Sequence, residues 1–423
     1  VQGVSGTPDQ HTVANLKLLL EVSRRMGASM ELQPLLENVA DAGCQVLQCE
    51  RATVFLLDGD RHELYSKVAT GVQEIRFPAD RGISGQVATT GQVSNVPDAY
   101  ADPRFNPDID RSTGFRTRNI LTVPLNGLQD QRIGVLQLLN KRGGPFSKED
   151  EELALTLGAQ AGVALQRQML LDQYSEKLRM ERELDIARDI QQQLLPRENP
   201  RVPGYYIAGW NKPADQTGGD CYDFLDARGN RFGLLLADAT GHGITAAMCI
   251  SQFRSLVKAT ARLSDDLPRI ATYVNDLLAE DLPNDRFVTA FLGALDLGSH
   301  QLTYIAAGQG PLLHYHHASG RTDVLPAGDM PLGIMEGHLF EVSNQLDLAP
   351  GDVFCLLTDG FYEWARTDTE HFGEDRVLEI IHANPTLPPE RLIESIYQSV
   401  LDFASGTAQA DDLTAIVIQR RRD

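Results

Sequence analysis

The chain has 423 residues, 42% hydrophobic and 23% charged, proportions that exclude wholesale disorder and predict two or three domains. Acidic residues outnumber basic ones by 58 to 38, giving a net charge of −20. That excess argues against nucleic acid or an anionic membrane as the main partner and suits a collector of divalent cations. The five scattered cysteines, Cys44, Cys49, Cys221, Cys249 and Cys355, exclude a disulfide framework or a cysteine zinc site. Val1–Gln10 lacks a signal-peptide layout and no apolar run is long enough to span a bilayer, so the expected location is cytoplasmic.

Helical apolar spacing covers Asn15–Met26 and Leu32–Leu47, and strand patterns follow at Ala52–Leu57, Val93–Val96, Ile120–Leu125 and Ile133–Leu139. Between them Arg81–Asn119 reads as one long polar connection, of the kind that serves as a binding loop or lid. Helix resumes at Ser147. From Ala164 to Leu195 there is neither Pro nor Gly, and Leu171, Tyr174 and Leu178 form a heptad seam that Glu181 interrupts before Ile186, Ile190 and Leu194 resume it in another phase. A solvated bridging helix is one reading; a coiled coil that makes a homodimer is the preferred one. Pro196, Pro200 and Pro203 end it.

Beyond Tyr205 strands are expected at Phe232–Ala237, Val288–Leu295, Leu302–Ala306, Val353–Thr358 and Leu413–Gln419, with a hairpin around Asp296–His300. Helices are expected at Ile244–Thr260, Leu267–Glu280 and Pro389–Phe403. The predicted class is α+β: an N-terminal α/β sandwich (11–163), a helical linker (164–195), and a β-sandwich flanked by helices (196–423).

Four acids in the last region stand where a buried strand meets a turn: Asp220, Asp238, Asp359 and Asp411, the last followed by Asp412. A carboxylate at a strand tip is rigidly aimed, and several converging ones repel unless cations neutralise them. Oxygen ligands without a Cys or His cluster favour Mg²⁺ or Mn²⁺, and two such ions can clamp a phosphoryl group and activate water for in-line attack.

The motifs Gly218-Gly-Asp220, Asp238-Ala-Thr-Gly-His-Gly243, Phe287-Val-Thr-Ala290, Pro331-Leu-Gly333, Thr358-Asp-Gly360 and Asp411-Asp-Leu-Thr414 resemble the metal-dependent protein phosphatases of the protein phosphatase 2C type, SpoIIE-like branch. The resemblance implies a serine/threonine phosphatase with two Mn²⁺ or Mg²⁺ ions. Asp238 would bridge them, Asp220 and the Ala239 carbonyl would serve the first, and Asp359 and Asp411 the second. His242 fits either a general acid or hydrogen-bond donor near the centre, or a residue packing locally at a helix start. Asp223 and Asp412 are expected as structural neighbours, and Gln309 stands where the family usually has histidine. By the same resemblance the substrate is a regulatory phosphoprotein, such as an anti-sigma-factor antagonist. A catalytically inactive scaffold is the alternative. A nucleotidyl cyclase, suggested by Gly218-Gly-Asp220 alone, is disfavoured by Cys221 and Tyr222.

The N-terminal motifs Gly82-Ile-Ser-Gly85, Thr113-Gly-Phe-Arg-Thr-Arg-Asn119 and Gly134-Val-Leu-Gln-Leu-Leu-Asn-Lys141, with the scattered Asn140, Lys141, Phe146, Asp150 and Glu151, resemble GAF domains of the cyclic-nucleotide subgroup. The implied pocket uses Thr53, Ala69, Thr70, Ile83, Ser84, Asp110, Thr113, Thr117 and Gln137, with cAMP favoured over cGMP. Lys141 and Asp150 are expected to pair with each other rather than touch ligand.

Overall fold

The computed structural model describes residues 24, 31–66, 75–225, 229–283, 285–341, 343–367 and 369–422. The expected helix Asn15–Met26 lies outside them apart from Arg24, as do Ala69 and Thr70. The chain divides into two compact units, 1–179 and 180–423.

In the first unit, strands β1 (Cys49–Asp58), β2 (Glu63–Ser66), β3 (Ile75–Pro78), β4 (Ser94–Val96), β5 (Ile120–Asn126) and β6 (Arg132–Lys141) form one antiparallel sheet in the order β3-β2-β1-β6-β5-β4. Period-two alternation divides its faces. Val54, Leu56, Leu121, Val123, Leu136 and Leu138 meet the helix Leu32–Leu47 and the first turns of the helix Lys148–Leu194. Leu32–Leu47 turns Leu35, Leu36, Val39, Val46 and Leu47 inward at helical spacing. The long helix lies close on β5 because Gly158 has no side chain: a Cβ there would stand 2.9 Å from the Pro124 carbonyl.

The stretch Arg81–Asn119 is not the single long connection that its polar composition predicts. It folds as a helix Gly82–Thr90, strand β4 and a helix Pro107–Thr113 capped by Asn106. Ile83, Val87, Ala88, Val96 and Ala99 supply the buried contacts that outweigh composition. The helix Lys148–Leu194 runs unbroken through both the 163/164 boundary and Glu181.

The second unit contains β7 (Tyr205–Lys212), β8 (Asp220–Leu225), β9 (Arg231–Ala239), β10 (Val288–Asp296), β11 (Gln301–Ala307), β12 (Leu312–His316), β13 (Arg321–Leu325), β14 (Asn344–Asp347), β15 (Val353–Leu357), a small hairpin β16 (Ala365–Thr367) with β17 (Glu370–His371), and β18 (Leu413–Arg420). Two antiparallel sheets, β14-β11-β10-β9-β8 and β13-β12-β15-β18-β7, pack face to face. Leu234, Leu236, Phe291, Tyr304, Phe354, Leu356, Ile416 and Ile418 fill the space between them. The opposite residues, Leu235, Ala237, Ala290 and Leu292, lie under the helices Ile244–Thr260 and Leu267–Asp281. Likewise Cys355, Leu357, Ala415 and Val417 lie under Glu374–Ala383 and Pro389–Ala404. The result is a four-layer α-β-β-α sandwich, as near-continuous apolar strands require: both faces need cover. The predicted hairpin at Asp296–His300 joins β10 to β11.

Candidate active site

Antiparallel pairing sets the end of one strand beside the start of its neighbour, and two such junctions meet at one end of the sandwich. Asp220 opens β8 and lies directly opposite Asp238 near the end of β9. Asp359 follows β15 and Asp411 and Asp412 precede β18, which pairs with β15. A hydrogen bond joins the two sheets: Thr358 Oγ1 donates to Asp220 Oδ2 at 2.8 Å and accepts from Thr414 N at 2.9 Å. Asp412 turns inward and accepts from Ala214 N at 2.7 Å, from Gly219 N, and from Asp220 N at 3.3 Å. It organises the loop that presents Asp220, the structural part expected of it.

Electrostatics show how closely the acids meet. Burial, then Asp238 and Asp412, hold the Asp220 carboxyl well above the usual carboxylate range. Burial, then Asp359 and Asp411, push Asp238 up to about 8. Asp359 stands at the open rim, yet desolvation and Asp411 push it up to about 6. Acidic neighbours thus add to burial in raising Asp220, Asp238 and Asp359, a strain that cations would relieve. Among the described residues, no three of these acids close to within 4.8 Å of one another, which makes the ring wider than a single-ion cage. A Cβ on Gly219 would stand 2.8 Å from the Ala239 carbonyl oxygen, so glycine lets the two backbones approach this closely beside the ring. An all-oxygen donor set of this kind fits hard divalent ions.

His242 is 85% exposed on the loop after β9, with Nδ1 3.3 Å from Asp215 Oδ2. Asp223 is a buried anchor: it binds Arg254 at 2.7 Å and Lys258 at 2.9 Å, fixing β8 to the helix Ile244–Thr260. Gln309 is buried too, donating to the Leu357 carbonyl at 3.0 Å and so bracing the end of β15.

Sequence reasoning missed the residues that hold the loop before Asp220 from the other side. Within the second unit, Arg188 Nε donates to the Gln216 carbonyl at 2.9 Å. Gln191 accepts from Gly218 N at 3.0 Å and donates to the Gly218 carbonyl. The end of the long helix thus grips the backbone two residues from a predicted metal ligand. A run of three glutamines, Gln191–Gln193, gave no sign of which one would do this.

In the first unit, Thr53, Gln137, Thr122 and Ser94 are register partners across β1, β6, β5 and β4, and so make a polar row on one face of the sheet. Gln137 Nε2 donates to Ser84 Oγ at 2.9 Å. The row separates two apolar clusters, one with Phe55, Val87 and Val135, the other with Ile83, Ile120 and Leu139. Thr122 Oγ1 is buried without a partner, an unmet polar group on this face that sequence reading did not single out. Asp110 and Thr117 satisfy each other instead: Thr117 N and Oγ1 donate to Asp110 at 2.7 and 2.8 Å. Thr113 ends the helix Pro107–Thr113. Lys141 pairs with Asp150 as expected. Asn140 accepts from Arg118 N at 2.6 Å and donates to Glu50 and to the Arg116 carbonyl, so these signature residues brace the loop before β5.

Comparison with known proteins agrees with both halves. Residues 31–165 match the GAF domain family, and residues 228–421 match Stage II sporulation protein E (SpoIIE). The chain joins a GAF domain to a SpoIIE-type domain of the metal-dependent protein phosphatases. Over 260 residues it is 26% identical to the phosphoserine phosphatase RsbU of Bacillus subtilis (strain 168), a match covering 62% of this chain and 76% of that one. Over 169 residues it is 31% identical to the probable 3',5'-cyclic phosphodiesterase pde-5 of Caenorhabditis elegans, covering 36% of this chain but 23% of that one. Among solved structures, the SiaA-PP2C domain of Pseudomonas aeruginosa superposes with a TM-score of 0.50 at 22% identity, covering 59% of this chain and 98% of that domain, and supports the phosphatase fold. Among the described residues, no helix is long and apolar enough to cross a membrane.

Proposed function

We propose that this protein is a phosphoserine/phosphothreonine protein phosphatase regulated by a small ligand at its GAF domain. The observation that carries the reading is the convergence of Asp220, Asp238, Asp359 and Asp411 at one end of the sandwich, where burial and acidic neighbours hold Asp220, Asp238 and Asp359 above the ordinary carboxylate range. Asp238 would be shared between two Mn²⁺ or Mg²⁺ ions, with Asp220 and the Ala239 carbonyl on one side and Asp359 and Asp411 on the other. When bound, the ions supply Lewis acidity and a nucleophile drawn from water. The protein's own part is to hold its oxygens at fixed strand tips: Thr358 and Asp412 orient the Asp220 segment. His242, exposed on the loop after β9, would donate a proton to the departing serine or threonine oxygen. The substrate class is a regulatory phosphoprotein, with an anti-sigma-factor antagonist the first to try, since RsbU is similar over much of the chain.

The regulatory ligand is a cyclic nucleotide, cAMP before cGMP, on the polar row of Thr53, Ser84 and Gln137. Similarity to pde-5 over 36% of the chain supports that class. Exposed Leu171, Tyr174, Ile186 and Ile190 on the long helix favour pairing with a second chain in a cytoplasmic homodimer. A change in that pairing would reach the Asp220 loop through Gln191 and Arg188. A ligand shifts such an equilibrium only by its differential affinity for the two states, about 1–3 kcal/mol.

The test is phosphate release from a generic phosphoester, with Mn²⁺ supplied or withheld and each nucleotide added in turn. Turnover should require metal and change with nucleotide. Absence of turnover with metal present would leave the scaffold reading, and unchanged rates alongside measured nucleotide binding would remove the coupling.

A further inference from the structure

At the opposite end of β15 from the aspartate ring stands a second cluster of ligand-type side chains. Asp352 precedes β15 and Asp359 follows it, on the order of 20 Å apart at roughly 3.3 Å per strand residue. His314 and His316, two apart on β12, present their rings on one side of the strand with centroids 4.0 Å apart. His314 Nε2 lies 3.2 Å and His316 Nδ1 3.7 Å from the same oxygen, Asp352 Oδ2. Among the described residues this is the group of three that closes within 4.8 Å. Ligand atoms about 2.0–2.1 Å from a tetrahedral zinc ion stand roughly 3.3 Å from each other, close to both spacings.

The surroundings match a site that is held in advance. Asp352 is 1% exposed, and its oxygens are fixed by His317 N and Ala349 N, both at 2.9 Å. On the far side of His316, Nε2 lies 2.8 Å from Asp323 Oδ2. When Nε2–H donates to Asp323, Nδ1 presents its lone pair toward the Asp352 carboxylate, an arrangement that a cation between them would satisfy. A carboxylate orienting the remote nitrogen of a histidine ligand is the usual support of a zinc-bound imidazole.

We infer that His314, His316 and Asp352 form a second metal site, selective for a borderline divalent cation such as zinc and separate from the all-oxygen centre. Imidazole nitrogens suit zinc where the aspartate ring suits Mg²⁺ or Mn²⁺. The ion ties β12 to the turn before β15, and His316, its side chain 34% exposed, is the side from which the ion arrives. Three protein ligands leave a position for water.

The test uses the full chain carrying Asp238→Asn and Asp359→Asn, stripped of metal and dialysed against Zn²⁺, with bound metal measured per chain. Adding His316→Ala should remove one equivalent of zinc, and Asp323→Asn should weaken that equivalent about 10- to 100-fold. Co²⁺ in place of zinc should give visible d–d absorption that His316→Ala abolishes. In the otherwise native chain, His316→Ala should leave Mn²⁺-dependent phosphatase turnover unchanged, which also shows that the variant folds. Equal zinc content with and without His316, or a Co²⁺ spectrum unaffected by its loss, would reduce the cluster to a hydrogen-bonded His–Asp pair and overturn the site.

Discussion

Asp238 shows most plainly how a buried carboxylate costs the metal-free phosphatase half stability. Its carboxyl is pushed up to about 8 in the folded protein, against about 3.9 in an unfolded chain. Between those values the native state binds more protons than the unfolded one, so the metal-free protein loses stability as pH rises, and the loss is complete above the folded value. Calorimetry in chelator should therefore show Tm falling from pH 5 to pH 8.5. Asp238→Asn should flatten that slope, raise Tm at the alkaline end and abolish turnover; a wild-type Tm that rises with pH would contradict the electrostatics. Thr358 is the neighbouring case. Its hydroxyl links the two sheets through Asp220, so Thr358→Val should weaken Mn²⁺ activation about 10- to 100-fold, read from the metal dependence of turnover. The aspartates stood out in the sequence because each lies where an apolar strand meets a turn. Thr358 adjoins one of them and was still missed, because its role depends on a strand more than a hundred residues away.

At the level of single elements, β8 is anchored to the helix Ile244–Thr260 by Asp223 between Arg254 and Lys258. The Arg254 side chain is 13% exposed and its Nε has no partner, so it cannot lose its counter-charge cheaply. Asp223→Ala should cost about 3 kcal/mol, the lower end for a broken buried pair because Lys258 can turn to water; urea unfolding of the metal-loaded chain measures it. The long helix poses a different question. Its first turns bury Leu157, Ala161 and Leu165 against the sensor sheet, while Leu171, Tyr174, Ile186 and Ile190 face outward. Tyr174→Glu with Ile186→Glu should convert a dimer to monomer in sedimentation equilibrium, and an unchanged mass would dismiss pairing through this helix. Apolar spacing located Leu32–Leu47, Ile244–Thr260 and the strands it predicted to within two or three residues, since burial enforces that spacing locally. It failed over Arg81–Asn119, where short elements held by a few contacts from distant strands carry a polar, loop-like composition.

For the whole molecule, the excess of acids and the SpoIIE-type domain make metal the first variable to test. Mn²⁺ binding only to the native state should raise stability by about 2.7 kcal/mol at a hundred times its dissociation constant. In a denaturant series at fixed pH, the transition of the phosphatase half should move with Mn²⁺ concentration and that of the sensor half should not. A shift in neither would mean that the aspartate ring binds no metal in the folded chain.

The motifs along the chain were enough to distinguish a GAF domain from a SpoIIE-type domain and to single out strand-tip acids, because strand-tip carboxylates and apolar periodicity are local properties. Only the tertiary structure decided which polar residues serve one another. Asp110 and Thr117 proved to be each other's partners, Gln191 proved to hold Gly218, and His314, His316 and Asp352 proved to be neighbours. Such contacts depend on sheet register and on the packing of one layer against the next, and a side chain's partner there is chosen by distance in space, which spacing along the chain does not encode.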